Sequence, residues 1–107
     1  MTEEQAIEKY GAEKLNIGKF PMSVNGRARG MGDIEGSVKV IGHKETDRLL
    51  GCHILASHAS DMIGEAVVAF EFAASTEDLA RCFHAHPTLP EAIKEAAMAA
   101  RGQAIHL

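Results

Sequence analysis

The chain has 107 residues, of which 46% are hydrophobic, and a formal net charge of -4 at pH 7. This length suits one globular domain with a single core, and the hydrophobic content excludes a disordered chain. The acidic balance argues against a nucleic-acid-binding module, and no apolar run approaches the about 18 residues needed to cross a membrane.

One helix, one edge strand and one loop are predicted for the N-terminal third. Thr2-Glu3-Glu4-Gln5 is a capping box that opens a short helix, and Gly11 is a suitable left-handed stop. Residues 14–20 alternate apolar and polar side chains and halt at Pro21, which is typical of an edge strand. Residues 25–36 hold four glycines and several charges. We therefore predict a partly extended loop there.

The middle of the chain is predicted to form an antiparallel hairpin. Residues 38–41 and 49–55 are rich in β-branched and apolar side chains, and they flank a polar stretch at 43–48. Two such runs around a polar turn are typical of a hairpin. Cys52 lies in the second run, far from Cys82. With an acidic N-terminus that lacks an apolar signal region, this spacing predicts free thiols in a reducing compartment.

The C-terminal half is predicted to be helical. Between residues 59 and 74, apolar side chains recur at three- and four-residue steps, which predicts a helix with one apolar face made of Met62, Ile63, Ala66, Val67, Phe70 and Ala74. Ser75 begins a shorter helix that should bury Leu79 and Cys82. Thr88 opens an alanine-rich helix that runs to about Arg101. This order of elements indicates a single α+β domain over 1–107, an antiparallel sheet with helices packed on one face.

The segment from His84 to Glu91 carries the residues with chemical potential. His86 precedes Glu91 by five positions, across a helix entry, so the ring and the carboxylate can meet. Histidine titrates near neutrality, and a carboxylate can orient its ring and stabilise the imidazolium form. The pair is therefore a candidate general base or acid for a group of somewhat higher pKa, such as a thiol near about 8.5.

Three other interpretations of this segment stay open from the residues alone. Glu91 also stands where a Thr-x-x-Glu capping box beginning at Thr88 would place it, so a purely structural role fits equally well. In an extended segment His84 and His86 would point the same way, as two metal ligands do, but the segment offers no complete ligand set and we expect no metal. The bond before Pro87 has the tight-turn setting in which a cis isomer occurs.

The whole chain resembles the C-terminal part of dihydrolipoamide dehydrogenases, in the pyridine nucleotide-disulfide oxidoreductase family. The strings that carry the resemblance, in the family's order and spacing, are Thr2-Glu3-Glu4-Gln5-Ala6, Gly18-Lys19-Phe20-Pro21, Gly51-Cys52-His53-Ile54-Leu55, Met62-Ile63-Gly64-Glu65-Ala66, Ala74-Ser75-Thr76-Glu77-Asp78-Leu79-Ala80-Arg81, His84-Ala85-His86-Pro87-Thr88-Leu89 with Glu91, and Ile105-His106-Leu107. The resemblance implies the flavoprotein disulfide reductase dimerisation-domain fold and a homodimer.

The resemblance also implies roles for individual residues. His86 matches the base that takes a proton from a dihydrolipoamide thiol, and Glu91 matches its carboxylate partner. The backbone at His86 and Pro87 would approach the FAD of the partner subunit, where the redox disulfide also lies. The implied full-length enzyme is a dihydrolipoyl dehydrogenase that uses FAD and NAD and serves the lipoyl domain of a 2-oxo acid dehydrogenase complex. It would work in the cytoplasm, or in the mitochondrial matrix of a eukaryote.

Several family features are missing from the chain. No Gly-x-Gly-x-x-Gly opens a strand-helix-strand unit, and the two cysteines are not a close-spaced redox pair. We therefore expect that the FAD- and NAD-binding domains and the first strand of the family domain are absent, that no cofactor binds, and that the chain alone is inactive. Pro90 and Phe83 replace residues that are commonly smaller. The alternative function is a stand-alone dimerisation or interaction module without catalysis.

Overall fold

Three antiparallel strands form the sheet in the computed structural model, which describes residues 1–102. They are β1 (Leu15–Pro21), β2 (Ser37–His43) and β3 (Leu49–Leu55), in the spatial order β1-β2-β3. The predicted hairpin is confirmed as β2 and β3, and β1 is the predicted edge strand, paired with β2 from Leu15–His43 to Pro21–Ser37. The terminal string at 105–107 lies outside the described residues.

Five α-helices surround this sheet in the described part of the chain. They are α1 (Glu3–Tyr10), α2 (Gly26–Met31), α3 (Ala59–Glu71), α4 (Thr76–Arg81) and α5 (Glu91–Ala100), with single 3-10 turns at Ala12–Lys14 and Met22–Val24. The predicted capping box at Thr2 is present, and α1 stops at Gly11, whose φ is 91°. None of the described helices is both long and apolar enough to cross a bilayer.

The main core lies between one face of the sheet and α3, α4 and α5. Phe20, Val38 and Val40 point from the strands towards Ile93 and Ala96 of α5, and all five are almost completely buried. Strand residues on one face alternate with those on the other, so this face is apolar while its neighbours along the chain are not. The predicted α+β fold, an antiparallel sheet with helices on a face, is confirmed.

A smaller cluster lies on the opposite face of the sheet, at the end where β1 begins. Ala6 of α1 packs there with Leu15, Ile41 and Leu50, and Tyr10 covers the edge. Ile41 and Val40 are adjacent in β2 but belong to different clusters, because successive strand residues face opposite sides. The N-terminal helix thus adds a partial second layer that the predicted one-sided packing did not include.

Two predictions of local structure were wrong. The segment predicted as a loop from Asn25 to Gly36 contains α2, which Asn25 caps by accepting from the Ala28 amide and which ends at Gly32 in the left-handed conformation. Its two internal glycines lower helix propensity. Ala28 is nevertheless completely buried in the main core, so tertiary packing stabilises this turn of helix.

The second error concerns α3 and the helix that follows it. The helix α3 ends at Glu71 rather than at residue 74, and its buried residues are Met62, Ala66 and Ala69. Val67 and Phe70, which were predicted to face the core, are exposed. Cys82 is likewise exposed at the end of α4. Because α3 carries apolar residues on its exposed face as well, the positions of apolar residues alone do not show which face is buried.

Candidate acid-base site

The loop between α4 and α5 presents His86 at the surface of the domain. The His86 side chain is 68% exposed, and the peptide bond from His86 to Pro87 is cis, the isomer that the turn setting had left open. Pro90 is the N-cap residue of α5 and does not cap it with a side-chain bond. Proline is tolerated here because the first amides of a helix lack partners within the helix.

His86 and Glu91 are in direct contact, as their spacing predicted. Nδ1 of His86 lies 2.9 Å from Oε1 and 3.0 Å from Oε2 of Glu91. Because an ionised carboxylate only accepts hydrogen bonds, Nδ1 carries the proton, and in the neutral ring the lone pair is on Nε2. This tautomer makes Nε2 the nitrogen that can accept a proton from a bound group.

Glu91 also has the structural contact that a capping box would predict. Its Oε1 accepts the backbone N–H of Thr88 at 2.9 Å. The Thr88 hydroxyl donates to the Ala85 carbonyl at 2.7 Å, and the N-cap residue of α5 is Pro90 rather than Thr88, so the predicted helix start at Thr88 is too early. The Glu91 carboxylate therefore binds both the backbone at the start of the helix and the His86 ring. The structural contact and the contact with the imidazole are both present.

His84 faces a different partner from His86. Its Nε2 lies 2.8 Å from Oε2 of Glu65 on α3, its Nδ1 lies 3.0 Å from the Cys82 carbonyl, and its side chain is only 9% exposed. The two histidines therefore do not form a shared ligand pair. Over residues 1–102 no group of three or more His, Cys, Asp or Glu side chains is placed to hold a metal ion. Phe83, beside His84, is 94% exposed and does not pack beneath it.

A small cavity of about 130 Å³ opens beside His86 and Glu91. Its other walls come from the end of β1, the 3-10 turn after it, the start of α2 and the second turn of α5: Phe20, Val24, Asn25, Gly26 and Glu95. A methyl group on Gly26 would lie 3.7 Å from Cε1 of His86, so the backbone of α2 runs directly beside the ring. The sequence analysis missed these residues, although an Asn N-cap followed by a Gly stop was available as a signal for α2.

The two cysteines are free, as predicted, and differ in their surroundings. Cys52 is partly enclosed between β3 and α3, where burial, followed by the negative charge of Glu65, raises the pKa of its thiol to about 11. A thiol with so high a pKa is poorly nucleophilic at neutral pH. Cys52 and Cys82 are not bonded to each other, and Cys52 does not have the reactive thiolate of a redox-active cysteine.

Comparison with known proteins places the chain in a family. The sequence profile of the pyridine nucleotide-disulphide oxidoreductase dimerisation domain matches residues 1–97. The chain belongs to this family. It is 51% identical over 106 residues to the mitochondrial dihydrolipoyl dehydrogenase of Pisum sativum, a match that covers 99% of this chain and 21% of the relative. The mouse mitochondrial dihydrolipoyl dehydrogenase is 52% identical over 97 residues, or 91% of this chain and 19% of the relative.

Solved structures agree with the assignment to this family of dimerisation domains. The HOCl-induced flavoprotein disulfide reductase RclA from Escherichia coli superimposes with a TM-score of 0.81 at 29% identity, covering 91% of this chain and 22% of that one. LpdA from Mycobacterium tuberculosis has a TM-score of 0.78 at 25% identity, with coverages of 90% and 21%. The chain thus spans about a fifth of the length of the relatives it matches.

Proposed function

We propose that this dimerisation domain serves an enzyme that oxidises dihydrolipoamide with FAD and NAD, and that it supplies His86 and Glu91 to the partner subunit's site. The observation that carries the proposal is the double contact of Nδ1 with the Glu91 carboxylate, which leaves Nε2 of an exposed ring as the basic nitrogen. Identity of about half with the dihydrolipoyl dehydrogenases of pea and mouse supports this substrate class.

The proposed role is transfer of one proton. A substrate thiol placed against Nε2 gives its proton to the ring as the thiolate forms, and the Glu91 carboxylate stabilises the imidazolium that results. In the reverse direction Nε2 returns the proton to the thiolate. Thiol and imidazole groups ordinarily have pKa values near about 8.5 and about 6.5, so transfer from thiol to imidazole costs about 2.7 kcal/mol and the return transfer is favourable.

The chain contributes one wall of such a site and does not enclose a flavin. The cavity beside His86 has a volume of about 130 Å³. Pockets that bind small molecules usually have volumes of about 300 Å³ or more. The exposed residues His86 and Pro87 would instead lie against FAD held by the partner subunit. When bound, FAD and NAD supply the electron acceptors for the thiol pair, and the residues of this chain handle the proton.

An exposed apolar surface on α3 and the following loop is the proposed contact with the second copy. Val68, Phe72 and Phe83 line an open groove of about 390 Å³, and Phe72 and Phe83 are 82% and 94% exposed. Monomeric proteins rarely leave such large side chains together in water. His84 borders the same groove. Dimerisation through this surface would place the loop that holds His86 beside the partner.

The remaining partners follow from the proposed reaction. Dihydrolipoamide is presented on the lipoyl domain of a 2-oxo acid dehydrogenase complex, so that domain is the proposed macromolecular substrate. The relatives from pea and mouse are named as mitochondrial proteins. We propose the compartment of such a complex for this chain, which is the matrix in a eukaryote and the cytoplasm in a bacterium.

The test uses a chimera in which residues 1–97 replace the matching segment of the pea enzyme. His86→Gln should lower the rate of NAD reduction by dihydrolipoamide by about 10² to 10⁴-fold, as expected for loss of a general base, while bound flavin stays constant. His58→Gln is the matched control, since His58 lies at the start of α3. Turnover of the His86→Gln chimera within threefold of the parent would refute the catalytic role.

The second candidate function is a dimerisation module without catalysis, which the apolar groove on α3 favours by itself. Sedimentation equilibrium of the 107-residue chain separates the parts of the proposal. A dimer that Phe72→Ser converts to monomer would locate the interface, with the exposed Ile34→Ser as control. A dimer that persists in Phe72→Ser would exclude this surface. An active chimera with a sensitive His86 would exclude the module as the complete function.

A further inference from the structure

We propose that Asn25 is a positioning residue for the His86–Glu91 pair and acts through the Thr88 peptides. The proposal rests on the acid-base role proposed for that pair. Asn25 lies at the entry to α2, 63 positions before Thr88 in the sequence. It is only 3% exposed, so its carboxamide must satisfy its hydrogen bonds inside the protein.

The Asn25 carboxamide joins two separate elements. Its Oδ1 accepts the Ala28 amide at 2.9 Å and so caps α2. Its Nδ2 donates to the Thr88 carbonyl at 3.0 Å, and this second bond has no role in capping. Capping needs only an acceptor, such as an aspartate carboxylate or the hydroxyl oxygen of serine, so it does not require the Nδ2 donor of Asn25. The amide donor is therefore directed at the site loop.

Thr88 passes this restraint to the catalytic pair. Its carbonyl is held by Asn25, while its amide on the other side of the same residue donates to Oε1 of Glu91 at 2.9 Å. That carboxylate in turn accepts Nδ1–H of His86. Three consecutive hydrogen bonds thus run from the core to the exposed imidazole, and each fixes the direction of the next.

The cavity geometry supports the same assignment. Asn25 and Gly26 both line the cavity beside His86. The backbone at Gly26 is so close to the ring that a methyl group on Gly26 would be in van der Waals contact with Cε1 of His86. Movement of α2 away from residue 88 would therefore loosen the ring and its orienting carboxylate together. An orientation error of this kind reduces rates even when every reacting group is present.

The experiment separates capping from positioning with two variants of one residue. Asn25→Ser keeps a good N-cap but cannot reach Thr88, whereas Asn25→Ala loses both contacts. Asn16→Ser makes the same chemical change elsewhere, in β1. Urea denaturation measures the cap. Nitrogen-15 chemical shifts of the His86 ring, measured on the 107-residue chain at alkaline pH, give the ratio of the Nδ1–H to the Nε2–H tautomer.

If Asn25 is a positioning residue, Asn25→Ser should stay nearly as stable as the parent. Its ratio of the Nδ1–H to the Nε2–H tautomer should fall by up to about fivefold, the change in an equilibrium constant that the loss of one net hydrogen bond causes. In the chimera, kcat/KM for dihydrolipoamide should fall about five- to tenfold with the KM for NAD unchanged. A tautomer ratio within 1.5-fold of the parent in Asn25→Ser would overturn the proposal. Loss of the folded state in Asn25→Ser would also overturn it, because it would assign the amide to stability.

The failure of this proposal differs from the failure of the proposed function. If His86→Gln leaves turnover unchanged, the acid-base role fails whatever Asn25 does to the tautomer. If His86→Gln abolishes turnover while Asn25→Ser changes neither the tautomer nor kcat/KM, the acid-base role stands and only the positioning role of Asn25 is refuted. The variant Asn16→Ser should match the parent in both measurements.

Discussion

Replacing Gly18 by alanine should separate helix α5 from the sheet. Gly18 lies in β1 directly beneath α5, and a methyl group there would be 2.0 Å from the carbonyl oxygen of Ala96 and 2.2 Å from the backbone nitrogen of Ala100. Both obstacles are helix backbone and cannot rotate away as a side chain could. To reach ordinary contact at 3.4 Å, the helix must retreat by about 1.4 Å.

The size of the effect follows from that displacement. Insertion of one methyl group into a packed core costs about 1–3 kcal/mol, and backbone obstruction puts Gly18→Ala at or above the upper value, about 3 kcal/mol. A domain of this size has about 5–15 kcal/mol of stability in total. The variant should therefore melt about 12–24 °C lower, since each kcal/mol moves the midpoint of a domain of about 100 residues by about 4–8 °C.

Urea and thermal denaturation of the 107-residue chain measure this loss. Gly64→Ala is the matched control: Gly64 lies inside α3, a methyl group there would meet nothing within 4 Å, and the substitution should stabilise the helix by about 0.5–1 kcal/mol. A Gly18→Ala variant within 1 kcal/mol of the parent would refute the reasoning that α5 is seated on the backbone of β1. Because α5 begins with Glu91, the destabilised variant should also loosen the His86 contact.

Two further predictions concern Cys52 and the network around Asp47. Burial raises the pKa of Cys52 to about 11, so about one thiol in a thousand is ionised at pH 8. In a Cys82→Ser background, the rate of labelling by iodoacetamide should therefore rise about tenfold per pH unit from 8 to 10. A plateau in this rate above about pH 9 would contradict the raised pKa. Asp47 accepts hydrogen bonds from the fully buried Thr76 hydroxyl and from Arg101. Asp47→Ala should therefore lower the free energy of unfolding, measured in urea, by about 2–3 kcal/mol, and Asp47→Asn, which keeps an acceptor, should lower it less. Equal losses in the two variants would show that the acceptor is unimportant.

Much of the fold was predictable from local signals in the sequence. The capping box at Thr2, the helix start at Ser75, the Gly11 stop and the hairpin from β2 to β3 are each defined by neighbouring residues, and each is present. Local hydrogen bonds and turn chemistry act over three to five positions, so they can be recognised without knowing the rest of the chain. The contact between His86 and Glu91 belongs to the same class, because only a helix entry separates the two residues.

Tertiary contacts decided what spacing could not. Ala69 and Phe70 are both apolar and adjacent in α3, but Ala69 is buried and Phe70 is exposed. Which of them is buried depends on which face of the helix packs against the sheet. Helix α2 forms in a glycine-rich segment because Ala28 is buried, and its cap Asn25 then reaches Thr88 across the core. The sequence by itself therefore determined most of the elements and the contact between His86 and Glu91, while long-range packing determined α2, the buried face of α3 and the bond from Asn25 to Thr88.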